Sequence, residues 1–343
     1  MIGHYRALTP GGIIRVIISL AGLYVGVVVI SLLVGTADLF LWDKFGELAR
    51  GGRTLEDFFT PEEALIVFSI RLPRIIFAGI VGASLSLAGV VFQGLLRNPL
   101  ADPFILGVSG GAAVGAITGI LLGVGAFSLG ITGTAFLGAM LAVFVVYAIA
   151  GAEKTISPHT LLLTGVMINA FFSALIMFII SVSPSSHLQH ALFWLMGDLG
   201  LASKKEIFTL GAFLAGGGAL IYYDARALNL ITTGEETARH LGVEVGAIQK
   251  RLLIASSLVV AVAVSLSGII GFVGLMIPHI ARMIFGADHR LLLPASALLG
   301  ASFLAAADTI ARTVMAPVEL PPGVITALAG APYFIYLMKR KVV

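Results

Sequence analysis

Long stretches without a charged residue alternate with short charged ones along the whole chain. Eight intervals contain no Asp, Glu, Lys or Arg: 16–37, 75–96, 103–152, 155–197, 207–223, 252–281, 291–307 and 320–338. A transmembrane α-helix needs about 20 apolar residues to cross a hydrocarbon core of about 30 Å. Because the intervals match or exceed that length, the pattern predicts an all-α, polytopic membrane protein.

Three of the intervals are too long for a single crossing. We expect 103–152 to break near 123–128 and to form two spans, and 155–197 to give one span that ends near 181–186. An amphipathic stub with Trp194 then follows. The interval 252–281 should break at Pro278 and leave a short helix before Asp288. The count is about ten spans in one transmembrane domain, residues 1–343.

The second span has marked ends. Arg71-Leu-Pro-Arg74 predicts its start, and the Asn-Pro turn at Asn98 predicts where it stops. After it, glycines recur at every fourth residue from Gly111 to Gly123, which places positions without a side chain on one helix stripe. Such a stripe either lines a pathway or lets two helices approach closely, and we favour close packing.

The composition agrees with a lipid environment, since 58% of the residues are hydrophobic, 11% are charged, and the mean hydropathy is +1.05. A dispersed net charge of +3 and the lack of a basic run with interleaved aromatics predict no nucleic-acid partner. The chain has no cysteine, which excludes disulfides and thiolate metal sites. We predict no cofactor. The interval 16–37 is too long for the apolar part of a signal peptide and predicts a retained first span.

Positive residues set the expected orientation. With the N-terminus in the cytoplasm, thirteen of the 21 Lys and Arg residues lie on the inner side: Arg6, Arg15, Arg97, Lys154, Arg226, Arg239, Lys250, Arg251, Arg282, Arg290, Lys339, Arg340 and Lys341. An even number of spans then also places the C-terminus in the cytoplasm. Residues 38–63 become an acidic external loop.

A short internal similarity suggests a repeat. Ser86-Leu-Ala-Gly-Val-Val and Ser265-Leu-Ser-Gly-Ile-Ile align without a gap at an offset of 179 residues, ending at Pro99 and Pro278. These spans cross in opposite directions in the expected topology, so we predict an inverted repeat of spans 2–5 and 7–10, as in many transporters. Chance similarity of small and aliphatic residues is the alternative.

The segment 226–250 is the longest polar stretch on the expected cytoplasmic side. Thr233-x-x-Glu236 predicts a capping box, and Gly242 predicts the end of a short helix about two turns later. A punctuated helix between two spans could bind a cytoplasmic partner, whereas a solvated loop could carry the same pattern by chance.

Several polar residues lie within or beside the spans. Gln93 and Asn169 should face protein or a pathway, because an amide in lipid is costly. His187 and His190 could offer imidazoles to iron or haem, but a hydrated interfacial loop is the favoured interpretation. A proton-coupled secondary transporter that uses Asp308 and a histidine is a further hypothesis.

Six motifs in this order resemble the FecCD-type permeases, the membrane subunits of type II ABC importers for iron-siderophore complexes, haem and vitamin B12. They are Arg71-Leu-Pro-Arg74, Asn98-Pro-Leu-Ala-Asp-Pro103, Leu106-Gly-Val-Ser-Gly-Gly111, Gly234-Glu-x-x-Ala238-x-x-Leu-Gly242, Gly271-Phe-Val-Gly-Leu-x-Ile-Pro-His279 and Leu320-Pro-x-Gly323. The resemblance implies a transport subunit rather than an enzyme, located in the cytoplasmic (inner) membrane. It also implies a homodimer, two cytoplasmic ATPase subunits that bind the ATP, and an external solute-binding protein. Iron-siderophore is the first choice of cargo, ahead of haem and cobalamin.

The resemblance also implies roles for particular residues. The external arginines Arg71, Arg74 and Arg312 would meet carboxylates of the binding protein, and Asp308 should pair with Arg312 one helical turn away. The cytoplasmic gate is expected at Asn98, Leu100, Pro158 and His159, where Pro158 and His159 depart from the small hydroxyl residues common in the family. The helix expected to contact the ATPase carries Gly234, Glu235, Glu236, Ala238, Leu241 and Gly242.

Overall fold

The structure is a computed structural model that describes residues 9–35, 44, 50, 59–124, 130–150, 158–200 and 203–339. We number its α-helices in chain order: α1 Pro10–Leu33, α2 Pro61–Leu95, α3 Val108–Leu121, α4 Gly130–Ala150, α5 Pro158–Val182, α6 Ser185–Leu195, α7 Lys204–Tyr223, α8 Ala225–Thr233, α9 Glu235–His240, α10 Val245–Ser267, α11 Val273–Phe285, α12 His289–Thr313 and α13 Pro322–Lys339.

Ten of these helices account for the predicted spans. Within the described residues, seven are long and apolar enough to cross a membrane, and three shorter apolar helices complete the set: α3, α11 and α13. The interval 103–152 divides into α3 and α4, and the interval 155–197 divides into α5 and the short α6 with Trp194, as predicted. The all-α polytopic fold is therefore confirmed.

The predicted break at Pro278 was wrong. Pro278 lies inside α11, and the chain instead leaves the helical path between Gly268 and Phe272, which both have positive φ angles of 68° and 67°. An interior proline removes one helical hydrogen bond, but membrane helices tolerate this because neighbouring helices and side chains can satisfy the freed backbone group. A residue with positive φ reverses the local direction of the backbone and ends the helix.

The predicted start of the second span coincides with a change of helix type. The helix itself begins at Pro61, where Thr60 and Glu63 form a capping box; it is π-helical over Ile66–Arg71 and α-helical again from Leu72, directly after Arg71. Arg71 and Arg74 therefore lie within α2. The acidic segment 38–63 lies mostly outside the described residues, and its last residues already belong to α2.

The predicted repeat has mixed support. The helices α2–α5 and α10–α13 both follow the order long, short, long and then a fourth helix, as an inverted repeat requires. The aligned hexapeptides, however, lie at different distances from the ends of their helices. Ser86 lies nine residues before the end of α2 at Leu95, whereas Ser265 lies two residues before the end of α10 at Ser267. The short sequence match thus does not pair equivalent positions, and the repeat itself stays a prediction.

The helix α2 forms the centre of the molecule, since 89% of the residues in its 18-residue apolar stretch are buried. Glycines let neighbouring backbones touch it. A Cβ at Gly82 would collide with the carbonyl oxygen of Gly300 on α12, and a Cβ at Gly89 would collide with that of Gly274 on α11. Close backbone approach of this kind is how helices associate in lipid, where both neighbours are equally apolar.

The predicted glycine stripe on α3 packs in the same way. A Cβ at Gly111 or Gly115 would collide with backbone carbonyl oxygens of α4, while one at Gly119 would collide with the Thr134 hydroxyl. Gly123, at the end of the stripe, faces open space. These contacts agree with close packing of helices as the role of the stripe.

Candidate functional site

One buried carboxylate joins two of the three arginines predicted at the outer surface. Asp308 on α12 is completely buried. Arg74 on α2 donates to it from Nε at 3.1 Å and from Nη2 at 3.0 Å. Arg312 donates from Nε at 3.1 Å across one helical turn, so the predicted Asp308–Arg312 pair is confirmed.

A second carboxylate completes this outer cluster. Glu319, in the turn between α12 and α13, accepts a hydrogen bond of 2.7 Å from Arg74 Nη1, and 44% of its side chain is exposed. Two carboxylates thus balance Arg74 and Arg312, as a poorly solvated site requires. Sequence reasoning missed Glu319, because its partner is 245 residues away and nothing near it in the sequence indicates the contact.

Arg71 lies apart from that cluster. It is 4% exposed, and its Nη1 donates to the carbonyl oxygen of Leu32 at the end of α1 at 2.8 Å. Arg312 is also buried, at 5% exposure. The described contacts of all three arginines are therefore internal. Docking of another protein at these residues stays a prediction.

The polar segment 226–250 contains two short helices and the first turns of α10. The predicted capping box was wrong, because the Thr233 hydroxyl donates to the carbonyl oxygen of Leu230 and Gly234 occupies the N-cap position. The glycine has a φ of 152°, which a residue with a side chain rarely adopts. The predicted end of the helix at Gly242 is confirmed, with a φ of 82°.

The helix α9 has one inward and one outward face. Ala238 is fully buried and packs with Ile231 and Val245. Glu236 is exposed on the other face, and Leu241, directly after the helix, is 62% exposed. The outward side of α9 thus presents Glu236 at the start of the helix and Leu241 just past its end.

Glu235 connects α9 to two membrane helices. It accepts a hydrogen bond of 3.1 Å from Gln249 on α10, and its carboxylate lies 3.7 Å from Arg97, just after α2. Arg97 in turn donates to the carbonyl oxygen of Ile231 on α8 at 3.0 Å. We call Arg97, Glu235 and Gln249 the inner joint. Sequence reasoning assigned Glu235 to this segment but missed its two partners.

A further contact links the segment to α12. Asn229 on α8 donates to Asp288 at 2.9 Å and accepts a hydrogen bond from the backbone of His289 at 2.9 Å. Hydrogen bonds from Arg290 and Asn229 lower the pKa of Asp288 well below its usual range. Asp288 is therefore ionised at neutral pH and holds α8 against the start of α12.

The first predicted gate turn directly follows the inner joint. Arg97 has a positive φ of 48°, and the side chain of Asn98 accepts a hydrogen bond of 2.9 Å from the backbone of Leu100. Leu100 is 40% exposed. Beyond the turn, Asp102 caps a 3-10 turn at Phe104, and burial raises the pKa of Asp102 to about 6.

The second predicted gate turn lies close to the first. Pro158 is the first residue of α5, and it lines a small cavity together with Leu96 from the end of α2 and Gln249 of the inner joint. His159 is exposed beside it. The structure therefore brings the ends of α2, α5 and α10 together at the inner joint, although the gating role stays a prediction.

The two pathway candidates, Gln93 and Asn169, form hydrogen bonds to neighbouring segments of the chain. Gln93 is buried, donates to the carbonyl oxygen of Leu275 on α11 at 3.0 Å and accepts a hydrogen bond of 2.9 Å from Arg282. Asn169 on α5 donates to the carbonyl oxygen of Phe104 at 3.0 Å. Both amides thus have hydrogen-bond partners within the protein, as expected of polar residues that face protein rather than lipid.

The histidine pair lies on a helix rather than in the predicted loop. His187 and His190 both belong to α6. Among the described residues, no group of three or more His, Asp or Glu side chains could hold a metal ion. This part of the chain therefore offers no complete ligand set for bound iron.

Comparisons with known proteins agree with the motif order. A model of the FecCD transport family matches residues 23–340. The chain is 45% identical to the cobalamin import system permease protein BtuC of Halobacterium salinarum over 83% of this chain and 76% of that protein. It is 38% identical to the hemin transport system permease protein HmuU of Yersinia pestis over 92% of this chain and 94% of that protein.

A solved structure has the same architecture. It is described as an inward-facing conformation of a metal-chelate type ABC transporter, with a TM-score of 0.83 and 32% identity. The match covers 95% of this chain and 99% of the other. With its apolar helices, the protein is a multi-pass membrane protein, and the chain belongs to the FecCD transport family, whose members are permease subunits of ABC transporters.

Proposed function

We propose that the chain is the membrane-spanning subunit of an ATP-driven importer that carries a large metal chelate inward across the cytoplasmic membrane. The observation that carries this proposal is α9, a short helix whose inner face is fixed to the membrane helices while Leu241 and Glu236 face outward. A subunit that performs no bond chemistry needs such a contact point to receive work from a separate ATPase.

The assembly we propose contains two copies of this chain, two cytoplasmic ATPase subunits and one external binding protein. Both termini lie in the cytoplasm, because that orientation places most lysines and arginines inside. The helix α5 supports a homodimer, since it begins at a predicted gate turn and leaves Met167, Phe171 and Phe178 exposed in the single chain. A second copy would cover part of that face.

The inner joint gives the proposal a physical route. A displacement of α9 moves Glu235, which contacts Arg97 just after α2 and accepts a hydrogen bond from Gln249 in α10. The gate turn at Asn98 directly follows Arg97, so the same displacement reaches the gate. The Asn229–Asp288 contact transmits it to α12. Two sets of contacts, one per nucleotide state, then define the open and closed passage.

The outer cluster supports docking of a binding protein. Arg74 already holds one partly exposed carboxylate, that of Glu319, through Nη1. A carboxylate of a docking protein can therefore reach the same guanidinium group from outside. Arginine suits this role because its planar fork binds carboxylates through two hydrogen bonds.

The cargo we propose is a chelate of the iron-siderophore, haem or cobalamin class. The named relatives are permeases for cobalamin and hemin, and the solved structure belongs to a metal-chelate type transporter. Siderophore complexes are the cargo that the motif resemblance implies. Binding of ferric siderophores, haem and cobalamin to the purified external partner would distinguish these three cargoes, because that protein rather than the permease selects the ligand.

Proton-coupled transport, the alternative, has no support from Asp308. Its carboxylate lies within hydrogen-bond distance of Arg74 and Arg312 and is completely buried. A carboxylate between two buried guanidinium groups neutralises them, as a poorly solvated site requires. Asp308 therefore acts as a fixed counter-ion.

Replacing Leu241 with Asp tests the contact with the ATPase. The side chain is exposed, so the variant should fold, but a buried carboxylate in the contact should weaken binding of the ATPase at least tenfold and abolish uptake. Co-purification and uptake into proteoliposomes measure this, with Glu244→Gln as the control outside α9. Unchanged binding and uptake would refute the proposed role of α9.

A double-mutant cycle tests the inner joint. Arg97→Gln and Glu235→Gln should each lower uptake per ATP hydrolysed by severalfold, because either change removes one side of the same ion pair. The double variant should lose no more than the stronger single variant, and ATPase binding should persist in all three. Additive losses would show that the two residues act independently and would contradict a joint.

The outer cluster can be tested with Arg74→Gln. Asp308 keeps Arg312 as its partner, so the variant should remain folded, as a thermal melt in detergent can verify. Affinity for the external binding protein should fall about tenfold and should lose part of its dependence on salt. A folded variant with the wild-type affinity and salt dependence would remove Arg74 from the docking surface.

A further inference from the structure

A groove of about 760 Å³ runs between α7 and α10. Its walls are apolar side chains, including Phe213 and Leu220 on α7 and Ile254 on α10. Gly216 also lines the groove, and a Cβ added at this residue would meet no other atom within 4 Å. The groove is therefore an open, apolar slot in the surface of the chain.

The length of the groove fits one leaflet of a bilayer. Its lining on α10 extends from Ala247 to Val259. At about 1.5 Å per residue this is about 18 Å. Half of a hydrocarbon core is about 15 Å thick. At Gly217 the two helices come into contact, because a Cβ there would collide with Val259. A slot of this length matches an acyl chain from one leaflet.

Positive charge gathers at one end of the groove. Lys250 and Arg251 line it there. Asp224 forms an ion pair with Arg251, with 2.6 Å between Nε and Oδ2. In the described part of the chain, Lys250 has no carboxylate partner. Two cations and one carboxylate leave a net charge of +1 among the described residues at this end.

Aromatic rings accompany these cations. Lys250 Nζ lies 5.3 Å from the centre of the Tyr147 ring, and Arg251 lies 5.8 Å from that of Tyr223, which is largely exposed. Tyrosines and cations together are typical of the level of the lipid headgroups. This end of the groove therefore lies at the membrane surface, with the apolar part directed into the bilayer.

We propose that the groove binds an anionic glycerophospholipid, with an acyl chain between α7 and α10 and the phosphate against Lys250. An apolar slot with an unpaired cation at its headgroup end favours a negatively charged lipid over a zwitterionic one. Assignment to the cytoplasmic leaflet rests on the orientation proposed above. The site adjoins the inner joint, since Lys250 follows Gln249 in the chain.

The test uses the full-length chain in its complex with the ATPase and two phospholipids, phosphatidylglycerol and phosphatidylcholine. Native mass spectrometry should find retained phosphatidylglycerol on the wild-type protein and little phosphatidylcholine. Lys250→Gln should weaken phosphatidylglycerol binding about fivefold, since one cation near an anionic surface contributes about that factor. Gly216→Leu should fill the slot and displace the lipid. Gly22→Leu, on an open face of α1, is the matched control and should change nothing.

Two results would overturn the proposal. The first is equal retention of phosphatidylglycerol by the wild type, Lys250→Gln and Gly216→Leu. The second is an efficient disulfide between two copies that carry Ile254→Cys, because the groove would then be covered by protein. Both readouts are independent of transport, so they can fail while uptake and ATPase coupling remain intact.

Discussion

Backbone contact around α2 is the constraint on which the rest of the structure depends. In lipid, apolar side chains gain nothing by leaving one apolar neighbour for another, so helices associate through close packing and satisfied polar groups. Gly82 and Gly89 allow α12 and α11 to touch the backbone of α2 directly. A larger side chain at either position would force the helices apart. The central helix can therefore move only together with its neighbours, which is what a transmission element requires.

Both ends of this packed body carry clusters of charged residues. At the outer end, Asp308 and Glu319 neutralise Arg74 and Arg312. At the inner end, Glu235 contacts Arg97 and Gln249. The charges around Asp308 are buried and must be paired, so a change of partner there has to be compensated within the same cluster. The inner joint is more exposed, with 41% of the Arg97 side chain accessible, so its ion pair is weaker.

The sequence was most informative where one local property determines the structure. Runs without charge located ten spans, and the four-residue spacing of Asp308 and Arg312 predicted their ion pair, because helix geometry alone brings such residues together. It failed where competing local signals exist. Pro278 was predicted to interrupt the helix, but the interruption lies between Gly268 and Phe272, which have positive φ angles. Similarly, Gly234 rather than Thr233 occupies the N-cap position of α9. Contacts such as Arg74–Glu319 and Arg97–Glu235 join distant segments, so they depend on the tertiary fold and have no local signature.

The central claim is that movement of α9 sets the passage, and a distance measurement tests it most directly. The chain contains no cysteine, so a spin label on Leu100→Cys reports only the turn that we predict to be the gate. In the assembled complex, pulsed electron paramagnetic resonance should show that the label-to-label distance between the two copies changes when ATP binds. The same change should be absent when Leu241→Asp is added. An ATP-dependent change that persists in the Leu241→Asp variant would contradict the account.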